Sequence, residues 1–253
     1  MPKSRPEKEW SDTMSEIAKG WLFHDIPDKT FPKRLILPLE NPDLHDHSRF
    51  TSKLESVRHY STISTGYYKD KYIGILKSKF GSPAVAMTIT LLSKLNVECI
   101  IGIGFCGGLH KEINSGDIVF PLACIRDDGT TSKYVSSNYP AVADIQLLDL
   151  LRGFARTYPS PWHCGIVWST DSIMLETSDL VEEWSGHKAI GVDMESGTLL
   201  TISRILGISA ASILVASDNP LLQRQANVTK LASGVDVAIE IGLKTLEKFS
   251  PVA

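Results

Sequence analysis

The stretch from Gly191 to Leu222, GVDMESGTLLTISRILGISAASILVASDNPLL, decides how the rest of the chain is read. It opens as a turn, continues as an amphipathic helix beginning near Glu195 and reverses at Leu206-Gly207. It then runs as an apolar strand from Ala210 to Ala216 that ends in Ser217-Asp218-Asn219. Apolar on both faces, this strand suits the centre of a sheet covered on both sides. Residues at the ends of such strands line the ligand crevice. Glu195 and Asp218 thus stand at the edges of buried elements, and Asp218 is a candidate proton donor.

Working outward, residues 1–33 read as a polar, Pro-bearing arm with a short helix from Trp10 to Lys19, and residues 34–253 as one catalytic domain. Arg34 to Leu37 is the first strand, which Pro38 is expected to break. Tyr60 to Gly66 and Tyr72 to Leu76 form a hairpin, and a helical period follows from Ser82 to Asn96. The strand Val97 to Ile103 leads into Gly104-Phe-Cys-Gly-Gly108, where glycines let backbone approach a pocket. Further strands are expected at Asp117–Ile125 and Gly165–Ser169, with helices at Ala141–Tyr158, Thr177–Gly186 and Val235–Phe249. Alternation without a repeat implies an α/β fold, a single-domain three-layer α/β/α sandwich with a mixed central sheet.

Composition narrows the function. A chain of 253 residues with 43% hydrophobic and 22% charged residues is ordinary for a globular protein, and a net charge of -3 recruits neither nucleic acid nor anionic lipid. Cys99, Cys106, Cys124 and Cys164 show no metal-ligand spacing and no paired framework. Their pattern, the lack of a membrane-length apolar run and the polar N-terminus make a cytoplasmic protein the expectation. His45-Asp-His47 reads as an exposed polar loop rather than a metal site.

Five motifs occur in order: Ile103-Gly-Phe-Cys-Gly-Gly-Leu109, Asn114-Ser-Gly-Asp-Ile118, Tyr139-Pro-Ala-Val-Ala-Asp144, Val192-Asp-Met-Glu195 and Ala216-Ser-Asp-Asn219. Together, over about Phe23 to Phe249, they resemble the nucleoside phosphorylase and nucleosidase superfamily, which cleaves N-glycosidic bonds on a helix-flanked mixed sheet. The resemblance implies that Glu195 grips the ribose hydroxyls with Met194 beneath the sugar, and that Asp218 protonates a purine at N7. The uridine-specific branch lacks an acid at that place. The resemblance further implies that His24, in Phe23-His24, and Arg58 are lent to a neighbouring subunit's site, hence a homo-oligomer, dimer or hexamer. Ile173 falls where the family often sets an aromatic against the base; Phe105 or Trp168 are the substitutes.

The departures concern the nucleophile. The family's phosphorylases bind phosphate with a Gly-Asp-Pro loop after the first strand and with an arginine and a Ser or Thr at the Gly-rich strand. Here those places hold Leu39-Glu40-Asn41-Pro42, Gly102 and Phe105. A dianion needs backbone donors and Arg or Lys, which these residues do not supply. AMP nucleosidase, a hydrolase of the same superfamily, is similar at Cys106–Leu109, Asp193–Ser196 and Ser217–Leu221, although it carries an extra N-terminal domain for which this chain has no room.

Cleaving a nucleoside C–N bond builds positive charge on the sugar and negative charge on the base, so it needs an acid at the base and groups that orient ribose and nucleophile. Asp218 is the expected acid, against the plainer reading of a helix cap or turn former. Glu195 is the expected ribose ligand, against that of a partner for the helix dipole. Glu40 is the candidate water-binding group, against a solvated loop carboxylate. The expected activity is hydrolysis of a purine nucleoside or nucleotide, with no cofactor and no metal. Phosphorolysis through a remodelled phosphate site including Arg58, and a silent nucleoside-binding scaffold, are the rivals.

Overall fold

The computed structural model describes residues 20, 23–27, 30–39, 47–77 and 80–251. Glu40, the rest of the loop to residue 46 and the anticipated helix Trp10–Lys19 lie outside the described residues. In chain order come β1 (Arg34–Leu39), α1 (His47–Thr51), β2 (Glu55–His59), β3 (Ile63–Tyr68), β4 (Lys71–Leu76), α2 (Ser82–Leu92), β5 (Cys99–Gly108) and β6 (Ile118–Asp127). They are followed by α3 (Thr131–Tyr134), β7 (Ala141–Val142), α4 (Ile145–Ala155), β8 (Trp162–Thr170) and α5 (Ser178–Gly186). The chain closes with β9 (Ala189–Asp193), α6 (Ser196–Ile205), β10 (Ser209–Asp218) and α7 (Val228–Lys248).

The expected α/β fold with a mixed sheet is what forms. Strand β5 is its axis: parallel β1 pairs along one edge from Cys99 to Gly104, and parallel β10 pairs along the other from Cys99 to Gly107. Successive side chains on a strand point to opposite faces. Gly102 meets Leu199 of α6, while Ile103 meets Gly242 of α7, so these helices cover opposite faces and give three layers. Ile100, Ile101 and Ile103 are fully buried between them, each contributing about 1.5–3 kcal/mol.

Beyond the reading from sequence, the sheet closes on itself. Strand β10 pairs with β5 and with antiparallel β6, β6 pairs with β8, β8 with β9, and β9 returns antiparallel to β5 at Gly107 and Gly108. From this ring, β1, β4, β3 and β2 extend as an open sheet.

Several boundaries differ for local reasons. Pro38 does not end β1, because it lies two residues beyond the last β4 pair, Ile36–Ile75, so the β4 edge needs no ladder donor there while pairing with β5 continues to Gly104. Strand β5 runs through the glycines instead of stopping at Ile103. The segment expected as one helix from Ala141 is a two-residue strand followed by a helix whose N-terminus Asp144 caps, accepting from Gln146 and Leu147. Strands β2 and β9 were not anticipated, and α7 starts seven residues before Val235.

Candidate active site

The register brings the two carboxylate-bearing segments to the same end of β5. Strand β1 leaves β5 at Gly104 and β9 joins the same edge at Gly107, so both chains turn off the sheet beside Phe105 and Cys106. On the opposite edge Asp218 is level with Gly107, which itself is level with Val192. Two strand spacings, about 10 Å, therefore separate the backbone of Asp218 from that of Val192. The acidic run Asp193-Met-Glu195 starts at the next residue.

Glu195 occupies the N-cap position of α6 and is 4% exposed. Its Oε1 accepts a 2.8 Å hydrogen bond from the backbone N–H of Gly81, which stands before α2 at φ 81°, a conformation that favours glycine. Ser82 Oγ donates to the Met194 carbonyl at 3.0 Å, so the start of α2 is fastened to the start of α6 through both residues. Burial, then the charge of neighbouring Asp193, pushes the Glu195 carboxyl up to about 8. Asp193 is itself raised by burial, and its Oδ2 accepts from the Ser196 N–H at 2.8 Å. A buried carboxyl whose donors among the described residues are only the backbone N–H groups of Gly81 and Met194 is unfavourable unless something else engages it.

Asp218 is half-buried at the end of β10. The next residue, Asn219, is 0% exposed and holds the turn: its Nδ2 donates to the carbonyls of His110 and Ile113, each at 2.9 Å, and its Oδ1 accepts from Leu222 N–H. The buried thiol of Cys106 is raised by desolvation and by the charges of Asp193 and Asp218. The charge of Asp218 also reaches Glu176, a residue the sequence did not mark. Burial first, and Asp218 second, push Glu176 up to about 7. Glu176 directly follows a 3-10 turn, Ile173–Leu175, and nothing in its local pattern distinguishes it from the surface acids Glu182 and Glu183.

The remaining expectations sort as follows. Met194 is half-buried beside Glu195, and Phe105 is half-buried on the core's edge at the gap between β1 and β9. Ile173 is 58% exposed on the 3-10 turn that leads to Glu176. Trp168 is core: its Nε1 donates to Asp127 and its ring packs on Trp184. His24 is exposed, and Arg58 is exposed on β2. Arg58 lines a cavity of about 550 Å³ with Arg34, Tyr67 and Tyr72, towards the start of β1 and away from Glu195. Within one chain, Arg58 is thus not brought to the two carboxylates.

Gly102, the place the resemblance gives to a phosphate-binding arginine, is closely packed. A Cβ at Gly102 would lie 2.5 Å from both Leu199 Cδ2 and Leu39 Cδ1, and one at Gly104 would lie 2.5 Å from the Leu39 carbonyl oxygen. Leu39 and Leu199 are buried there, an apolar wall instead of a cation. Gly102→Ala is accordingly expected to lower unfolding free energy by about 1–3 kcal/mol by overpacking. Urea denaturation with an unchanged midpoint would contradict this packing.

A guanosine phosphorylase of Halorubrum lacusprofundi is 27% identical over 211 residues, 81% of this chain and 86% of that protein. A DeoD-type purine nucleoside phosphorylase of Buchnera aphidicola is 27% identical over 183 residues, 72% of this chain and 78% of that protein. A crystal structure of uridine phosphorylase from Vibrio fischeri superposes with a TM-score of 0.81 at 26% identity, covering 88% of this chain and 95% of that one. Purine nucleoside phosphorylase from Toxoplasma gondii shares the fold, with a TM-score of 0.76 at 21% identity over 87% and 92% of the two chains. The sequence profile of the phosphorylase superfamily matches residues 35–244, and the chain belongs to that superfamily.

Proposed function

We propose that this enzyme of the phosphorylase superfamily cleaves the N-glycosidic bond of purine nucleosides with water as the acceptor. Asp218 protonates the departing base, and Glu195 with Met194 holds the ribose. The observation that carries the choice of water is the apolar packing at Gly102, where Leu39 and Leu199 leave no volume for an anion-binding side chain. Three arginines elsewhere are engaged: Arg49 with Asp236 and the Ala232 carbonyl, Arg126 with Thr131 and the carbonyls of Ser136 and Tyr139, Arg224 with Asn114. The purine reading is supported by the carboxyl at the end of β10 and by relatives named for guanosine and purine nucleosides. In a homo-oligomer, His24 and Arg58 would be lent from one copy to another copy's site, in keeping with the exposure of both and with the place of Arg58 at the start of β1.

Phosphorolysis is the second reading, favoured by the names of those same relatives. Incubating the purified chain with adenosine, inosine, guanosine and AMP, with and without inorganic phosphate, separates the two. Hydrolysis predicts base release at rates within about twofold in either condition. Release that requires phosphate would establish the second reading, and binding without release would leave a silent scaffold.

A further inference from the structure

Ser217 sits at an irregularity of β10. Ala216 is level with Cys106 and Asp218 with Gly107, so Ser217 is an extra residue opposite a continuous partner, a β-bulge. Bulges re-aim side chains beside functional sites. Here the bulged residue turns its hydroxyl between two acceptors: Oγ lies 2.8 Å from Asp218 Oδ1 and 3.2 Å from the Cys106 carbonyl oxygen. A serine hydroxyl has one proton to give.

We propose that Ser217 is a positioning residue for the acid, occupying Asp218 Oδ1 so that Oδ2 is the oxygen that carries and delivers the proton; this rests on the role of Asp218 set out above. As the glycosidic bond breaks, its electron pair passes to the base and the proton on Oδ2 follows to a base nitrogen. The carboxylate left behind then takes the Ser217 proton in a charge-assisted hydrogen bond, stronger than the bond to a neutral acid. Ser217 keeps its proton throughout. The Cys106 carbonyl supplies its alternative acceptor while Asp218 is protonated. The interaction is therefore strongest in the state that follows proton transfer, the condition for lowering a barrier instead of merely binding substrate.

The charge of Asp218 reaches two titratable groups on neighbouring elements, Glu176 after the 3-10 turn and the Cys106 thiol on β5. Neither replaces a neutral donor that favours the ionised carboxylate. Removing the Ser217 hydroxyl should thus slow proton delivery with little effect on substrate binding.

The test measures base release from a purine nucleoside across pH for the full chain, Ser217→Ala, Ser217→Thr and Asp218→Ala. Ser217→Ala is expected to lower kcat about 10- to 30-fold with KM within about threefold. Ser217→Thr, which keeps the hydroxyl, should restore most of the rate. Wild-type kcat in Ser217→Ala, or a loss in Ser217→Thr as large as in Ser217→Ala, overturns the proposal. Should Ser217→Ala not fold by circular dichroism, Ser217→Cys, a near-isostere with a weak donor, takes its place under the same criteria. Full activity in Asp218→Ala would instead refute the underlying assignment of the acid.

Discussion

Asp218→Asn is expected to lower kcat for purine base release by at least 100-fold while leaving the fold and, within a few-fold, KM unchanged. General acids contribute about 10²–10⁴ to such reactions, and an amide has no proton to deliver at neutral pH. The fold should be indifferent because Asp218 is half-buried, and the turn it occupies is held by Asn219 through the carbonyls of His110 and Ile113. The backbone ladder between β10 and β5 is likewise independent of that side chain. Steady-state kinetics with matched circular dichroism checks this. A variant retaining more than a tenth of the wild-type rate would remove Asp218 from the mechanism.

Glu195→Gln should do two opposite things. It should weaken catalysis by roughly 100-fold, because an amide presents only one strong acceptor to a pair of sugar hydroxyls. It should also stabilise the ligand-free protein at alkaline pH. The ordinary carboxyl value is 4.5, and in the folded chain burial and Asp193 hold Glu195 protonated up to about 8. Between those values the folded state binds a proton that the unfolded chain has released, so stability falls as pH rises through that window. The full contribution is present below pH 4.5 and gone above about pH 8. Replacing Glu195 by Gln removes this pH dependence while the amide oxygen can still accept from Gly81. The variant's advantage should grow from near zero at pH 4.5 to on the order of 3–5 kcal/mol at pH 9. Urea unfolding at both pH values measures it, and parallel curves for the two proteins would contradict the burial of an ionisable Glu195.

How much of this was legible beforehand depended on whether the determining force was local. Helix α5 and strand β10 were read nearly to the residue, because Thr177 caps the one and an unbroken apolar run makes the other. Strand β2 carries an exposed, mostly polar edge sequence, Glu55 to His59, with no alternation to betray it. Strand β9 is five residues long and is entered from Lys188 at φ 70°, so a turn was the natural reading. Gly104-Phe-Cys-Gly-Gly108 looks like the onset of a loop, yet β5 continues through it because β10 pairs with it as far as Gly107. Closure of the sheet through β6, β8 and β9 is a tertiary fact with no local signature.

The site divides the same way. Asp218 and Glu195 stand at the ends of strongly patterned elements and were found from those ends. Glu176 owes its perturbation to burial and to Asp218, forty-two positions later in the chain, and its own neighbours Leu175 and Thr177 say nothing of it. Ser217 was visible as part of a motif, but only the register of β10 against β5 shows that it is the bulged residue.

The most direct test of the account is the identity of the sugar formed when a purine nucleoside is turned over in ¹⁸O-labelled water with inorganic phosphate present. The packing of Leu39 and Leu199 against Gly102 predicts free ribose carrying one ¹⁸O at the anomeric carbon. Unlabelled ribose 1-phosphate as the product would contradict it.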